Sequence, residues 1–248
     1  MNGGGGLIIF GRVKEPAWAV YALLSIWICV IIFCAEDGRA PRETLASDGV
    51  RSVLIIDPGH GGIDGGAVSV TGMSESRINW QIAQTTYELA RFLGVDTVMT
   101  RQKEQIDYPD GITSISGRKR WETRERAALI NAVDGGFLLS IHQNKYPAPQ
   151  PWGVQVFHAD DEASRQAAAQ LQERFTAVLQ PENRRAAALI GKDVYLINHV
   201  ECPAVLVECG FLSNPAEARE LETASFQIKL SMVMAAFFRG RLTGEDHL

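Results

Sequence analysis

Val53-Leu54-Ile55-Ile56-Asp57-Pro58-Gly59-His60 is the stretch on which the fold turns. Four apolar residues run without a break into an acid, and Pro-Gly then stops them. A short continuous apolar run bounded by a turn reads as a strand covered on both faces. Such strands belong to parallel sheets with helices above and below. Further strands are expected at Thr97–Thr100, Phe137–His142, Val154–His158, Val194–Ile197 and Ala204–Glu208. Between them lie helical patterns. Ile78, Ile82, Thr86, Leu89 and Leu93 share one helix face, with Ser74 as the expected N-cap. Ala167, Leu171, Phe175 and Val178 share another, and a charged helix is expected over about 118–133. Residues 103–117 read as a loop, and Asn214-Pro215-Ala216-Glu217 as a capping box opening the last helices. Alternating strands and helices predict an α/β domain with a mostly parallel central sheet flanked by helices.

The chain has 248 residues, 46% hydrophobic and 21% charged, which is ordinary globular composition for one domain plus an appendage. A net charge of -5 gives no electrostatic reason to expect a nucleic-acid partner. Four cysteines are too few for a disulfide framework. Cys202 and Cys209 pair if the domain is exported, or else sit as two small buried residues beside a strand.

The N-terminal region differs. Trp18 to Ala35 is an 18-residue run without charge. It is long enough to span a bilayer as a helix, and Arg12 and Lys14 before it favour the N-terminus inside. The competing readings are a cleaved export signal and a buried core helix. The expected layout is a cytoplasmic 1–17, one transmembrane signal anchor at 18–35, a linker at 36–50, a catalytic domain at 51–241 and a tail at 242–248. On that layout the catalytic part faces the extracytoplasmic side of the cell membrane, or is secreted if the segment is cleaved.

Four polar residues stand at the ends of elements. His60 follows the first strand, Glu75 opens the first helix, His142 ends the third strand and Glu208 ends the last. In an open α/β sheet the carboxyl ends of strands face the site crevice. Residues separated by 15, 67 and 66 positions thus meet at one place. Two imidazoles and a carboxylate form a catalytic zinc set that leaves a position open for water. A second carboxylate beside the water serves as general base, the role that fits Glu208. His158, His199 and His247 are rival ligands without such surroundings.

These blocks, IIDPGHGGIDGGA, the helix opened by Glu75, SIHQN and PAVLVECGFLSNPAE, resemble the zinc-dependent N-acetylmuramoyl-L-alanine amidases of the type 3 amidase family, over about Val53 to Arg239. The resemblance implies a Zn2+ hydrolase that cuts the amide between N-acetylmuramic acid and L-alanine of the peptidoglycan stem peptide. By resemblance His60, Glu75 and His142 are the zinc ligands and Glu208 the catalytic glutamate. Arg126 and Asn131 are similar to the family's R-x-x-x-x-N block, and Asn144 to the asparagine after the metal histidine, all three set around ligands or substrate. The N-terminal anchor and the basic stretch 117–131 resemble the germination-specific enzymes that act on spore cortex. Lys145 departs from the family's small residue, which leaves it either a solvated lysine or a contact for substrate carboxylates. The alternatives are a wall-binding or regulatory protein on the same fold and a zinc peptidase acting on stem peptides.

Overall fold

The computed structural model describes residues 52–244. The transmembrane and linker expectations for 1–50, and the tail beyond 244, with Cys29, Cys34 and His247, lie outside the described residues, while residues 242–243 of the expected tail continue the last helix. Among the described residues no helix is long and apolar enough to cross a membrane.

Six strands form one sheet, in chain order β1 (Val53–Pro58), β2 (Thr97–Met99), β3 (Gly136–Asn144), β4 (Gln155–His158), β5 (Ala188–Leu189) and β6 (Ala204–Phe211). Across the sheet the order is β2-β1-β3-β6-β4-β5. The first four in that order are mutually parallel, while β4 runs antiparallel to β6 and parallel to β5. Among the described residues six helices pack on it: α1 (Glu75–Phe92), α2 (Ile115–Asn131), α3 (Glu162–Val178), α4 (Tyr195–His199), α5 (Pro215–Leu221) and α6 (Ala224–Thr243).

Strand alternation divides the core into two layers. Leu54, Ile56, Leu139, Ile141, Val205 and Val207 face α1, α3 and α6 in the larger cluster. Ile55, Leu138, Ala204 and Leu206 face α2 and α4 in the smaller. Each central strand is buried on both faces, which is why β1 reads as an unbroken apolar run.

Some expectations need correction. Val194–Ile197 is not a strand: Tyr195–His199 is the short helix α4, burying Leu196 and Ile197 against α2. A four-residue apolar run does not carry enough periodicity to separate the two states. The sheet edge is taken by β5 instead, paired to Phe157 and His158. The charged helix begins earlier, at Ile115, because the Ser114 hydroxyl accepts from the Gly117 N–H. Ser74 occupies the N-cap position of α1 but its side chain makes no cap bond. The first N–H groups of α1 go to carbonyls of the preceding loop, Glu75 to Ala67 and Ser76 to Gly65. Asn214 does cap α5, accepting from Ala216 and Glu217. Glu217 does not return the bond; its carboxylate takes the N–H groups of Gly153 and Phe211. Val178 ends α3 at 72% exposure, beyond the core face shared by Ala167, Leu171 and Phe175. Cys202 and Cys209 are both free. Six residues lie between them, and the strand from Ala204 to Cys209 alone spans about 16 Å, far beyond disulfide reach.

Candidate metal centre and catalytic cleft

The site forms where β1, β3 and β6 end. Pro58 is level with Ile141, and His142 is the register partner of Glu208. Gly59 continues β1 by one bond, its N–H donating to the Ile141 carbonyl at 3.0 Å. A Cβ there would lie 2.2 Å from His142 Nε2, so only glycine lets the turn pass over the imidazole. His60 follows at φ 59°, the one non-glycine with positive φ among the described residues. A side chain held in that region costs about 1–3 kcal/mol, strain that clusters at functional sites.

The next residues double back. Gly61 and Asp64 exchange both backbone bonds at 2.8 Å, which returns the Asp64 carboxylate to His60. Asp64 Oδ2 lies 3.0 Å from His60 Nδ1, and Oδ1 lies 2.7 Å from Lys119 Nζ on α2. Burial disfavours charge on His60, but Asp64 and Glu75 outweigh it and push the imidazole up to about 9. A bound cation competes directly with that proton.

Glu75, at the first turn of α1, is the hub. Its Oε1 lies 3.0 Å from His142 Nδ1 and 3.3 Å from His60 Nε2. The same oxygen accepts from the Gln143 N–H and from Asn79 Nδ2, and Oε2 accepts from the Ala67 N–H at 2.9 Å. Burial favours the neutral acid, yet the hydrogen bonds from His142 and His60 hold the carboxyl well below its ordinary value. The two imidazole rings meet edge to face at 5.0 Å.

One donor atom from each of His60, Glu75 and His142 lies within 4.8 Å of the others. Ligands at about 2.0–2.1 Å from a tetrahedral ion are spaced roughly 3.3 Å apart, so the set fits one small cation of the borderline kind that imidazole and carboxylate suit. A second observation agrees with that fit. Glu208 Oε2 is buried with no hydrogen-bond partner, an acceptor left open beside the three donors. Burial raises the Glu208 carboxyl to about 7, with the nearby Glu75 charge adding to it and His142 and His60 opposing.

Beside His60 and His142 lies a buried ion cluster of which sequence reasoning named only Arg126. Asp57 is fully buried and accepts from Thr100 Oγ1 at 2.6 Å, Ser140 Oγ at 2.8 Å and Arg126 Nη1 at 3.3 Å. Burial works against its charge, but Arg126 and the two hydroxyls keep the carboxyl below its ordinary value. Arg126 also pairs with Glu122 and donates to the carbonyls of His60, at 2.5 Å, and Pro58, at 3.3 Å. It therefore grips the strained turn. A cleft of about 240 Å³ opens between this cluster, His60 and His142 on one side and a wall carrying Lys119, Thr123, Asp193 and Tyr195 on the other.

The other expected site residues are placed differently. Gln143, not Asn144, touches Glu75, and Gln143 Nε2 also donates to Asn79. Asn144 contributes its carbonyl, which accepts from the Leu212 N–H at 2.8 Å. Asn131 is not in the site. It donates to the His199 carbonyl and accepts from the Glu201 N–H at the amino-terminal end of the sheet, where it ties α2 to the start of β6. Lys145 Nζ donates to the Val68 carbonyl. His158 and His199 bond to carbonyls of their own neighbourhoods, Ala159 and Tyr195. Asp64 and Asn79 carried a usable signal, one inside the glycine-rich turn and one a helical turn after Glu75.

Comparison with known proteins matches this geometry to one group. Residues 54–237 match the model of a family described as N-acetylmuramoyl-L-alanine amidase. A germination-specific N-acetylmuramoyl-L-alanine amidase from Bacillus subtilis is 32% identical over 233 residues, covering 92% of this chain and 94% of that protein. The N-acetylmuramoyl-L-alanine amidase AmiC of Neisseria meningitidis is 26% identical, over 81% of this chain and 55% of its own length. Among solved structures, the CwlD amidase of Clostridioides difficile in complex with the GerS lipoprotein superposes with a TM-score of 0.73. It is 28% identical, over 79% of this chain and all of that one.

Proposed function

Since the chain belongs to the N-acetylmuramoyl-L-alanine amidase family, we propose that it works as a zinc hydrolase on the amide joining N-acetylmuramic acid to the L-alanine of a peptidoglycan stem peptide. The observation that carries the zinc reading is the His60–Glu75–His142 triangle with the unpartnered Glu208 oxygen beside it. A zinc ion held by those three residues supplies a Lewis acid that polarises the amide carbonyl and brings the pKa of water down toward about 7.

The protein's own groups do the rest. Glu208 accepts a proton from the attacking water and returns it to the departing L-alanine amine, work for which a pKa near 7 is suited. Asp64 orients the His60 ring through Nδ1, and the Ala67, Gln143 and Asn79 donors fix Glu75. Arg126 holds the His60 carbonyl, so the ligand enters from a preset angle. The Lys119–Tyr195 wall supplies charge and an aromatic face to a substrate carrying carboxylates and amides.

The setting follows the same reasoning. The germination-specific relative supports a role on spore cortex, and the uncharged run 18–35 supports an anchor that keeps the domain at the outer face of the membrane. The related CwlD, solved with a lipoprotein, supports a partner at that surface. The test is digestion of peptidoglycan by the zinc-loaded chain, with products identified by mass spectrometry. Free stem peptides bearing an L-alanine amine terminus, lost on adding chelator, are expected. Cuts inside the peptide would show a peptidase, and binding without cleavage a wall-binding protein. Parallel digests of vegetative and cortex peptidoglycan separate the two settings.

A further inference from the structure

The loop that leaves the active-site strand presents two large aromatic side chains. It reads Lys145-Tyr146-Pro147-Ala148-Pro149-Gln150-Pro151-Trp152, and Tyr146 and Trp152 are 54% and 42% exposed. Three prolines fix φ and make the segment stiff. Both its ends are tied down. The Tyr146 N–H donates to Ser213 Oγ at 3.1 Å and Arg185 Nε donates to the Trp152 carbonyl at 2.9 Å. Gly153, at φ +95°, then gives its N–H to the buried Glu217 carboxylate at 2.8 Å. A Cβ on Gly153 would lie 2.9 Å from the Asn183 amide, so the backbone behind Trp152 has one route. The main chain that carries the indole is thus fixed, and more than half of the residue is buried.

Trp152 lines a groove of about 470 Å³ with Glu182, Glu220, Lys229, Asn214 and Phe226. A rigid indole face beside two carboxylates, an ammonium and an amide is the chemistry of saccharide binding. The C–H face of a sugar ring stacks on the aromatic, and its hydroxyls bond to the polar rim. The Lys229 ammonium can meet a muramoyl carboxylate, and the charged rim disfavours a purely apolar ligand. The location adds to this. Asn214 lies three residues beyond the end of β6, and Glu208 to Phe211 is three strand steps, about 10 Å. The groove therefore lies past the strand ends that carry His142 and Glu208, on the face covered by α3, α5 and α6, while those two side chains leave the α2 and α4 face.

We propose that this groove is a glycan subsite, which holds sugars of the same strand that carries the muramoyl residue under attack. The proposal deepens the amidase reading and rests on it for the identity of the glycan. Binding in the groove needs no scissile amide, so the two fail separately.

The test is titration of the full chain with soluble glycan strands already stripped of stem peptides, followed by calorimetry and tryptophan fluorescence. Wild type is expected to bind. Trp152→Ala is expected to weaken binding about three- to tenfold, the range of a lost aromatic stacking contact. Trp152→Phe is expected to retain most of it, and Glu220→Gln to lose part. Equal affinity of Trp152→Ala and wild type, or no binding of stripped strands by wild type, would overturn the subsite. Those results leave the product analysis untouched, and failure of cleavage leaves these titrations readable.

Discussion

His142 and Glu208 are register partners on the adjacent parallel strands β3 and β6. Their side chains leave the same face of the sheet at the same edge, so a proposed metal ligand and an unpartnered carboxylate are set one strand spacing apart by backbone pairing alone. Glu208→Gln keeps the shape and removes the base. It is expected to bind zinc with wild-type stoichiometry and lose about 10²–10⁴ in kcat, the usual size of general-base effects. Atomic absorption beside a rate assay checks both halves, and a near-normal rate would remove Glu208 from the mechanism.

The same carboxyl makes the metal-free chain sensitive to pH. Burial raises it from 4.5 to about 7 in the folded state. Below pH 4.5 it is protonated folded or unfolded. As pH climbs from there toward 7 only the unfolded chain ionises, so stability falls across that window and stays lower above it. The Gln variant escapes the loss. In chelator it is expected to match wild type near pH 4 and to exceed it by roughly 3 kcal/mol near pH 8. Urea titrations at the two pH values measure this, and an equal difference at both would count against a buried ionisation at Glu208.

Gly59 is required by contact and not by its φ. Its absent Cβ is the space occupied by the His142 ring, 2.2 Å away. Because the obstacle is the imidazole of a proposed ligand, held by Glu75, relief must come from the proposed metal set itself. Gly59→Ala is expected to fold, as β1 keeps its ladder, and to lose zinc. Isothermal titration with zinc and the melting temperature in chelator separate the two effects; wild-type zinc affinity in a folded variant is the contrary result.

Much of this site was legible because chemistry and strand ends coincide. His60, His142 and Glu208 stand at or just past the ends of apolar runs, Glu75 opens a helix, and topology then converges them. Asp57 was quoted in the first strand but not read as functional, since its Arg126, Thr100 and Ser140 partners come from three other segments. Lys119 reaches Asp64 only because of the phase of α2, which its charge-dense sequence does not reveal. Asn131 was carried over from a motif onto a position that bonds the far end of the sheet. The Val194–Ile197 run failed because four apolar residues suit a short buried helix as well as a strand.

Arg126 is buried between Asp57, Glu122 and the carbonyls of Pro58 and His60. Its removal leaves a fully buried carboxylate without its cation. Arg126→Gln is expected to cost about 3–5 kcal/mol of folding stability, the range for breaking one side of a buried pair. Denaturant unfolding in chelator reads it, and a loss below about 1 kcal/mol, the size of a surface pair, would contradict the burial argument.

Asp64 tests whether the turn orients its own ligand. Its Oδ2 lies 3.0 Å from His60 Nδ1, which places the ring proton there and leaves Nε2, 3.3 Å from Glu75, free to bind a cation. Replacing the carboxylate weakens both the ring's basicity and its aim, an effect usually worth 10–100-fold in metal affinity. Asp64→Asn is expected to fall in that range in competition titrations against a chromogenic chelator. Lys119 touches only the other carboxylate oxygen and is half-exposed, so Lys119→Met is expected to lose no more than about fivefold, as a screened surface pair would. A larger loss in Lys119→Met than in Asp64→Asn would reverse the order in which the two residues support His60.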